Sequence, residues 1–410
     1  MSAIRRKGGY VSKKNPRLKD LLLICVLVTV VGGISHYTIT NPLGLSRLLY
    51  YFQAPLIQLS NSCKPDTPDW MEDIQGYAVK NMGTPASQLA YINVEGDAFH
   101  CETGWKDGVF GDEPLQPDTR FRFASTTKTV TAVAILDLIN RKLLSLDDRV
   151  VDLLLGDETP ASALKDSRVG EITIAHLLSH RGGWDRERSQ DPMFTRNVKP
   201  WCPYKPEELT KTSLFYDPGS VEAYSNLGYC LLGLVIEKIT DKPFRDYIRS
   251  HFDLSENTLE FVDGAYLKDE VFYDFRNEDF YTQNYFEAMD FYALSSSAGL
   301  SGSALDLAVL VKKSLENEPL TILAGVKKNC ASVAVQECFG YGTFRYQPSP
   351  DVIPLHIHGG KLPGASSAII LDPYGGVLVW MGAGAHPPQD NSLQEFYDYI
   401  REALERSSPH

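Results

Sequence analysis

In the stretch FRFASTTKTVTAVAILDLI, residues 121–139, a serine and a lysine stand three positions apart where a strongly apolar segment begins. Nearly every residue from Val130 to Leu136 is apolar, which predicts a helix buried on all sides. Ser125 and Lys128, one turn apart at its start, then share a face. Serine is common at a helix N-terminus as a cap, but a lysine in the first turn opposes the helix dipole. The pair therefore runs against local preference and points to chemistry. Serine is a weak nucleophile until a base takes its proton. Burial disfavours the charged form of lysine, so a desolvated lysine is neutral and able to act as that base. Alone, S-x-x-K arises by chance in many chains.

Two further stretches follow in order. DPGSVEAYSNLGYCLLGLVIEKIT, residues 217–240, sets Tyr224-Ser225-Asn226 before a second apolar helix. HIHGGKLPGASSAIILD, residues 356–372, sets His358-Gly359-Gly360 before a strand-like run. With these three motifs the chain resembles the serine β-lactamase and penicillin-binding-protein superfamily, specifically its class C-like branch of esterases and peptidases. That family carries S-x-x-K, Y-x-N and K-T-G or H-x-G in this order. ITIAHLLSHRGGW, SSSAGLSGSALDLAVL, FGYGTF and KLPGASS resemble segments the family has at comparable places. The resemblance spans about residues 75–405.

What the resemblance implies is a β-lactamase/transpeptidase-like α+β fold and an acyl-enzyme mechanism. Ser125 attacks a carbonyl, Lys128 and Tyr224 share the proton transfers, and nearby cations lower the Tyr224 pKa for that role. Asn226 holds Lys128 and binds the substrate amide. The backbone N–H groups of Ser125 and Lys361 form the oxyanion hole, worth roughly 3 kcal/mol per donor. His358, Gly360 and Lys361 complete the substrate-binding set. Two departures matter: His358 stands where the family often has lysine, and Gly359 where it has threonine or serine. Both weaken recognition of a substrate carboxylate, which the Lys361 ammonium partly offsets. Tyr91-Ile92-Asn93 and His180-Arg181-Gly182 also fit two of the motifs, but their order and context assign them structural roles.

The elements that must position these residues are partly readable. QLAYINVEGDAFHCETG, residues 88–104, alternates apolar and polar around a turn and reads as a hairpin. Helical patterns run over about 126–142, 171–180 and 226–240, and a final amphipathic helix from about Ser392 to Glu405. ASSAIILDPYGGVLVWMGAGA, residues 365–385, reads as two strands joined by a Pro-Tyr-Gly-Gly turn. Strands at both ends around a helical middle predict one sheet uniting the chain ends. Residues 184–213, with four prolines, form a long loop of the kind that borders a site. Residues 255–292, rich in Tyr, Phe, Asp and Glu, form a lid or a substrate wall. His176 and His180 stand i,i+4 on a predicted helix, but without the glutamate of HExxH they read as packing residues rather than metal ligands. No residue pattern calls for a metal or a cofactor.

The 410 residues are 43% hydrophobic and carry a net charge of −12. Seven basic residues and a single acid, Asp20, fall within residues 1–20, so the remainder is more acidic than the whole. Such a body argues against a nucleic-acid partner. The basic start runs into LLLICVLVTVVGGI, residues 21–34, and a charge-free extension to Thr40, the length of a membrane span. The expected organisation is a cytoplasmic segment 1–20, a membrane anchor 21–40, a linker 41–74 and a hydrolase domain 75–410, with residues 43–59 amphipathic and suited to the membrane surface. A cleaved signal and a mitochondrial presequence are the rival readings. Six cysteines follow the apolar segment, an even number that suits disulfides in an exported domain, and Cys330 with Cys338 is the first pair expected.

The reading is therefore a membrane-anchored, extracytoplasmic serine hydrolase for a small ester or peptide substrate. A D-Ala-D-Ala-type carboxypeptidase or D-aminopeptidase on cell-wall peptides, and a penicillin-binding or scaffold protein without turnover, are the alternatives. N-terminal sequencing of the mature protein tests the anchor: an intact start is expected, and a start near residues 34–36 would show cleavage.

Overall fold

The computed structural model describes residues 18–40, 44–156, 159–186, 188, 191, 193, 195, 198–264, 266–273, 289–316, 318–328, 330, 332–362, 364–384 and 392–407. The chain divides into two units, residues 1–50 and 51–410. Within the first, α1 (Leu18–Thr40) holds a stretch, Lys19–Tyr37, long and apolar enough to cross a membrane. Its large side chains, Leu23 and Leu27 among them, are exposed. Most of the basic segment, residues 1–17, lies outside the described residues. The next helix, α2 (Gly44–Gln58), buries Ala54 and Ile57 and exposes Tyr51, Phe52 and Leu56, an amphipathic pattern.

The stretch 60–75, expected as a linker, carries secondary structure. Strand β1 (Ser62–Cys63) pairs with β3 (Ala98–Thr103) and is bonded to it through the Cys63–Cys101 disulfide. Helix α3 (Asp69–Asn81) buries Met71, Ile74 and Ala78, one face at helical spacing that a short window of polar residues conceals.

A seven-stranded antiparallel sheet runs in the order β1-β3-β2-β10-β9-β8-β7, where β2 is Ala86–Ile92, β7 Phe344–Tyr346, β8 Leu355–Leu362, β9 Ala365–Leu371 and β10 Val377–Ala383. The expected union of the chain ends occurs at its centre, where β2 pairs with β10 from Ile92↔Val377 to Ala86↔Ala383. β10 is apolar without alternation because both its faces are covered. Val377, Val379 and Met381 join the core that holds Val130 and Ala134, whereas Leu378 and Trp380 join Met71 and Ile74 of α3 and Phe396 and Ile400 of the C-terminal helix Ser392–Ser407.

A smaller sheet, β4-β6-β5 (Phe121–Arg122, Leu300–Gly302, Glu260–Phe261), leads into the helical half. Helix α4 (Thr127–Asn140) is enclosed as expected, with every residue from Thr127 to Leu136 buried. A tight turn, Ala124–Thr126, precedes it. Helix α7 (Asn226–Thr240) and the Ala304–Ser314 helix pack on α4, and α5 (Val150–Leu155) and α8 (Phe244–His251) pack on α7. The helix expected over 171–180 is shorter: α6 covers only Ile174–Leu178. Thr173 and His176 form a capping box at its start, and the chain turns out of it at His180, whose φ is 55°. His176 and His180 therefore do not share a helix face. Disulfides join Cys202 to Cys230 and, as expected, Cys330 to Cys338.

Trp380 is fully buried, and its indole N–H donates to Ser87 Oγ at 2.9 Å. Trp380→Ala is expected to destabilise the body by about 3–5 kcal/mol in chemical denaturation, the range for emptying an aromatic site.

Candidate active site

Ser125 sits in the turn that feeds α4, immediately after Ala124, whose φ of 51° is unusual for a residue with a side chain. Three contacts hold that turn. Phe123 N–H donates to Leu300 O at 2.9 Å, and the hydroxyls of Thr126 and Ser367 both donate to Phe123 O, at 2.8 and 2.5 Å. Strand β8 passes beside it at Gly360. A Cβ there would stand 2.5 Å from Phe123 O and 3.0 Å from Ser125 N, so the strand can lie this close only without a side chain.

Lys128, fully buried, projects from the first turn of α4 toward the serine. Its Nζ lies 3.2 Å from Ser125 Oγ and donates to Ser297 O at 2.9 Å. Burial holds its pKa well below the ordinary 10.5, and the Arg186 guanidinium pushes in the same direction. The amine is thus poised to accept a proton. The Tyr224 ring centroid is 5.0 Å from Nζ and that of Tyr229 5.7 Å.

Tyr224 comes to the same place, but not in the expected protonation state. Its side chain retains some exposure, yet enough protein surrounds the phenol that burial raises its pKa to about 12. A hydrogen bond with the Ser125 side chain and the charge of Arg186 pull the other way and lose. The phenol is consequently a protonated donor rather than a phenolate.

Asn226 begins α7, behind the N-cap Ser225, whose hydroxyl accepts the Gly228 N–H at 3.1 Å. Its Nδ2 donates to Asp191 Oδ2 at 2.5 Å, not to anything on Lys128. The partner of Lys128 that the sequence assigned to Asn226 is the backbone carbonyl of Ser297. Asn226 Oδ1 is buried and has no hydrogen-bond partner among the described residues. A cavity of about 260 Å³, lined by Trp184, Arg186, Asp191, Trp201 and Phe215 among others, opens beside it. The proline-rich loop thus borders the site, although Pro192 lies outside the described residues. So do residues 274–288, the centre of the segment read as a lid.

His358 is buried on β8, and its Nδ1 lies 2.6 Å from Gly342 O. A carbonyl only accepts, so Nδ1 carries the proton. Burial lowers its pKa to about 3, which keeps the ring neutral and Nε2 an acceptor. Lys361 does not make up the missing cation. Side chains alternate along β8, and a Cβ at Gly359 would meet the Tyr397 hydroxyl on the C-terminal helix at 2.6 Å. The exposed Lys361 shares that face, opposite to the face of Gly360 that meets Ser125.

Between the folded-state pKa of Lys128 and 10.5, the unfolded chain binds a proton that the folded chain does not. Stability contributed by this group therefore rises with pH across that interval. Lys128→Met is expected to flatten the rise, measured as the mutant-minus-wild-type difference in unfolding free energy from about pH 7 to about pH 10. An unchanged slope would mean that the ammonium is solvated.

Residues 88–396 match the family described as Beta-lactamase. A protein of Dichelobacter nodosus described as "Putative fimbrial assembly protein FimD, serogroup D" is 36% identical over 383 residues, covering 93% of this chain and 96% of that one. Among solved structures, the D-amino acid amidase from Ochrobactrum anthropi SV3 complexed with L-phenylalanine amide superposes with a TM-score of 0.63 at 20% identity, covering 82% of this chain and 98% of its own. A beta-lactamase/D-alanine carboxypeptidase from Yersinia pestis gives a TM-score of 0.63 at 16% identity over the same shares. These two show a common fold. With the family match spanning most of the body, the chain belongs to the Beta-lactamase family of serine hydrolases.

Proposed function

We propose that the chain hydrolyses an ester or amide through an acyl-enzyme on Ser125, and that the substrate carries no carboxylate at the His358 end of the site. The observation that carries this reading is a fully buried lysine amine, its pKa held well below the ordinary value, 3.2 Å from a serine hydroxyl. In the proposed reaction Ser125 Oγ bonds to the carbonyl carbon while its proton passes to Lys128 Nζ. The backbone N–H groups of Ser125 and Lys361 receive the oxyanion, and the positive end of α4 favours the charge. The Tyr224 hydroxyl hands its proton to the leaving group and regains one from the Lys128 ammonium, which carries the proton taken from Ser125. Water then attacks the acyl-enzyme by the reverse relay. Asn226 Oδ1, an acceptor with no partner among the described residues, takes an N–H of the substrate.

The lack of a carboxylate follows from charge. His358 is neutral, Gly359 has no hydroxyl, and the Lys361 side chain leaves the sheet on the far face. A D-Ala-D-Ala-type carboxypeptidase is favoured less for that reason, whereas amide or ester substrates without that terminus fit. The apolar α1 and three disulfides support an anchored, extracytoplasmic domain. A second reading, a surface-assembly factor that acylates without turnover, draws on the relative described as a fimbrial assembly protein.

Full-length protein in detergent is expected to turn over a short-chain p-nitrophenyl ester and a D-amino acid amide, and a D-Ala-D-Ala peptide far more slowly. Ser125→Ala is expected to lower turnover by about 10⁴-fold or more, as removal of a nucleophile does. Equal turnover by the variant would sink the mechanism. A persistent adduct on Ser125 without product release would favour the assembly reading.

A further inference from the structure

We propose that His180 is a positioning residue for Tyr224, an inference that rests on the acyl-enzyme reading above. Three successive residues are held by this one. The His180 carbonyl accepts the Ala223 N–H at 2.8 Å, and its Nδ1 accepts the Ser225 N–H at 3.2 Å. Between those two anchors the imidazole stacks on the Tyr224 ring, with centroids 4.3 Å apart and planes 27° from parallel. Tyr229 and Phe339 enclose the ring from other sides, at 5.1 and 4.7 Å. The phenol that contacts Ser125 is therefore fixed at its backbone, before and after, and at its ring face.

Two features separate this from ordinary core packing. First, His180 adopts a φ of 55°, a left-handed conformation that side chains disfavour, and this turn out of α6 is what aims both its carbonyl and its ring at residues 223–225. Second, the choice of imidazole leaves an unmet group. An amide N–H only donates, so Nδ1 must hold a lone pair and the proton must sit on Nε2. Nε2 is buried with no partner among the described residues. Phenylalanine would pack the same space without that unsatisfied donor, so the acceptor at Nδ1 is what histidine adds. Burial is the main reason the ring stays unprotonated, and the Arg186 and Arg181 guanidinium groups oppose its protonation further. The ring thus stays in the tautomer that the Ser225 contact requires.

The test uses full-length protein in detergent and two variants. His180→Phe keeps the stacking surface and removes the acceptor, whereas His180→Asn keeps an acceptor near the Nδ1 position and removes most of the stack. His180→Phe is expected to lower kcat by about 10²-fold with KM little changed, the size expected of an ångström-scale misplacement. His180→Asn should recover part of that loss. In a Tyr224→Phe background, His180→Phe should cost little more, because the residue it serves is gone. Hydrogen exchange read by mass spectrometry over residues 223–226 follows the contact without reference to turnover. Protection of the Ser225 N–H is expected in wild type and His180→Asn and lost in His180→Phe, while Ala223, bonded to the residue-180 carbonyl, stays protected in all three. Exchange lost with kcat unchanged, or the same kcat loss with and without Tyr224, would overturn the inference. Protection of the Ser225 N–H retained in His180→Phe would overturn it as well. If wild type shows no Ser125-dependent turnover while exchange behaves as expected, the hydrolase reading fails and the placement of Tyr224 by His180 stands.

Discussion

A primary amine enclosed by protein and set beside a serine hydroxyl imposes conditions on everything around it. Kept charged, Lys128 would need an acid partner or water, and the structure offers it a backbone carbonyl, a hydroxyl and aromatic rings instead. It is the neutral form that this environment accepts. The buried α4 therefore does more than fill the core between the sheet and α7. Its enclosure sets the proton affinity of the amine beside the serine, and a looser core around it would restore the ammonium and remove the base.

The second condition is distance. A turn at Ala124, a strand lacking a side chain at Gly360 and two hydroxyls converging on Phe123 O bring β8, β9 and the start of α4 together. Part of this convergence comes from segments far from the serine in the chain. Ser367 reaches it from the sheet and Leu300 from the small sheet. The seven strands, held by cores on both faces, supply the stiffness that such a convergence needs.

Much of this was legible in the sequence, and the parts that were not share a cause. Ser125 and Lys128 stood out because a lysine at the mouth of an apolar helix contradicts its surroundings. The strands β9 and β10 and helix α7 were visible from composition and turn residues. By contrast, the partner of Lys128 is a main-chain carbonyl, which no residue type announces. Asn226 found Asp191 in a loop without periodicity, and Tyr224 kept its proton because burial outweighed charge. His180 was read as structural from a motif in the wrong place. Its relation to Tyr224 depends on a left-handed turn and on backbone groups of a distant segment. Helix α3 was hidden within a stretch that proline and charge made look like a tether.

The pairing of β2 with β10 has a consequence for how the molecule is made. The central seam of the sheet joins residues near the start of the body to residues near its end, Ala86 to Ala383 among them. Closing so long a loop is costly until nearly the whole chain is present, and non-local pairing of this kind slows folding. A chain emerging from a ribosome cannot complete this sheet early. It stays open until its last strand arrives.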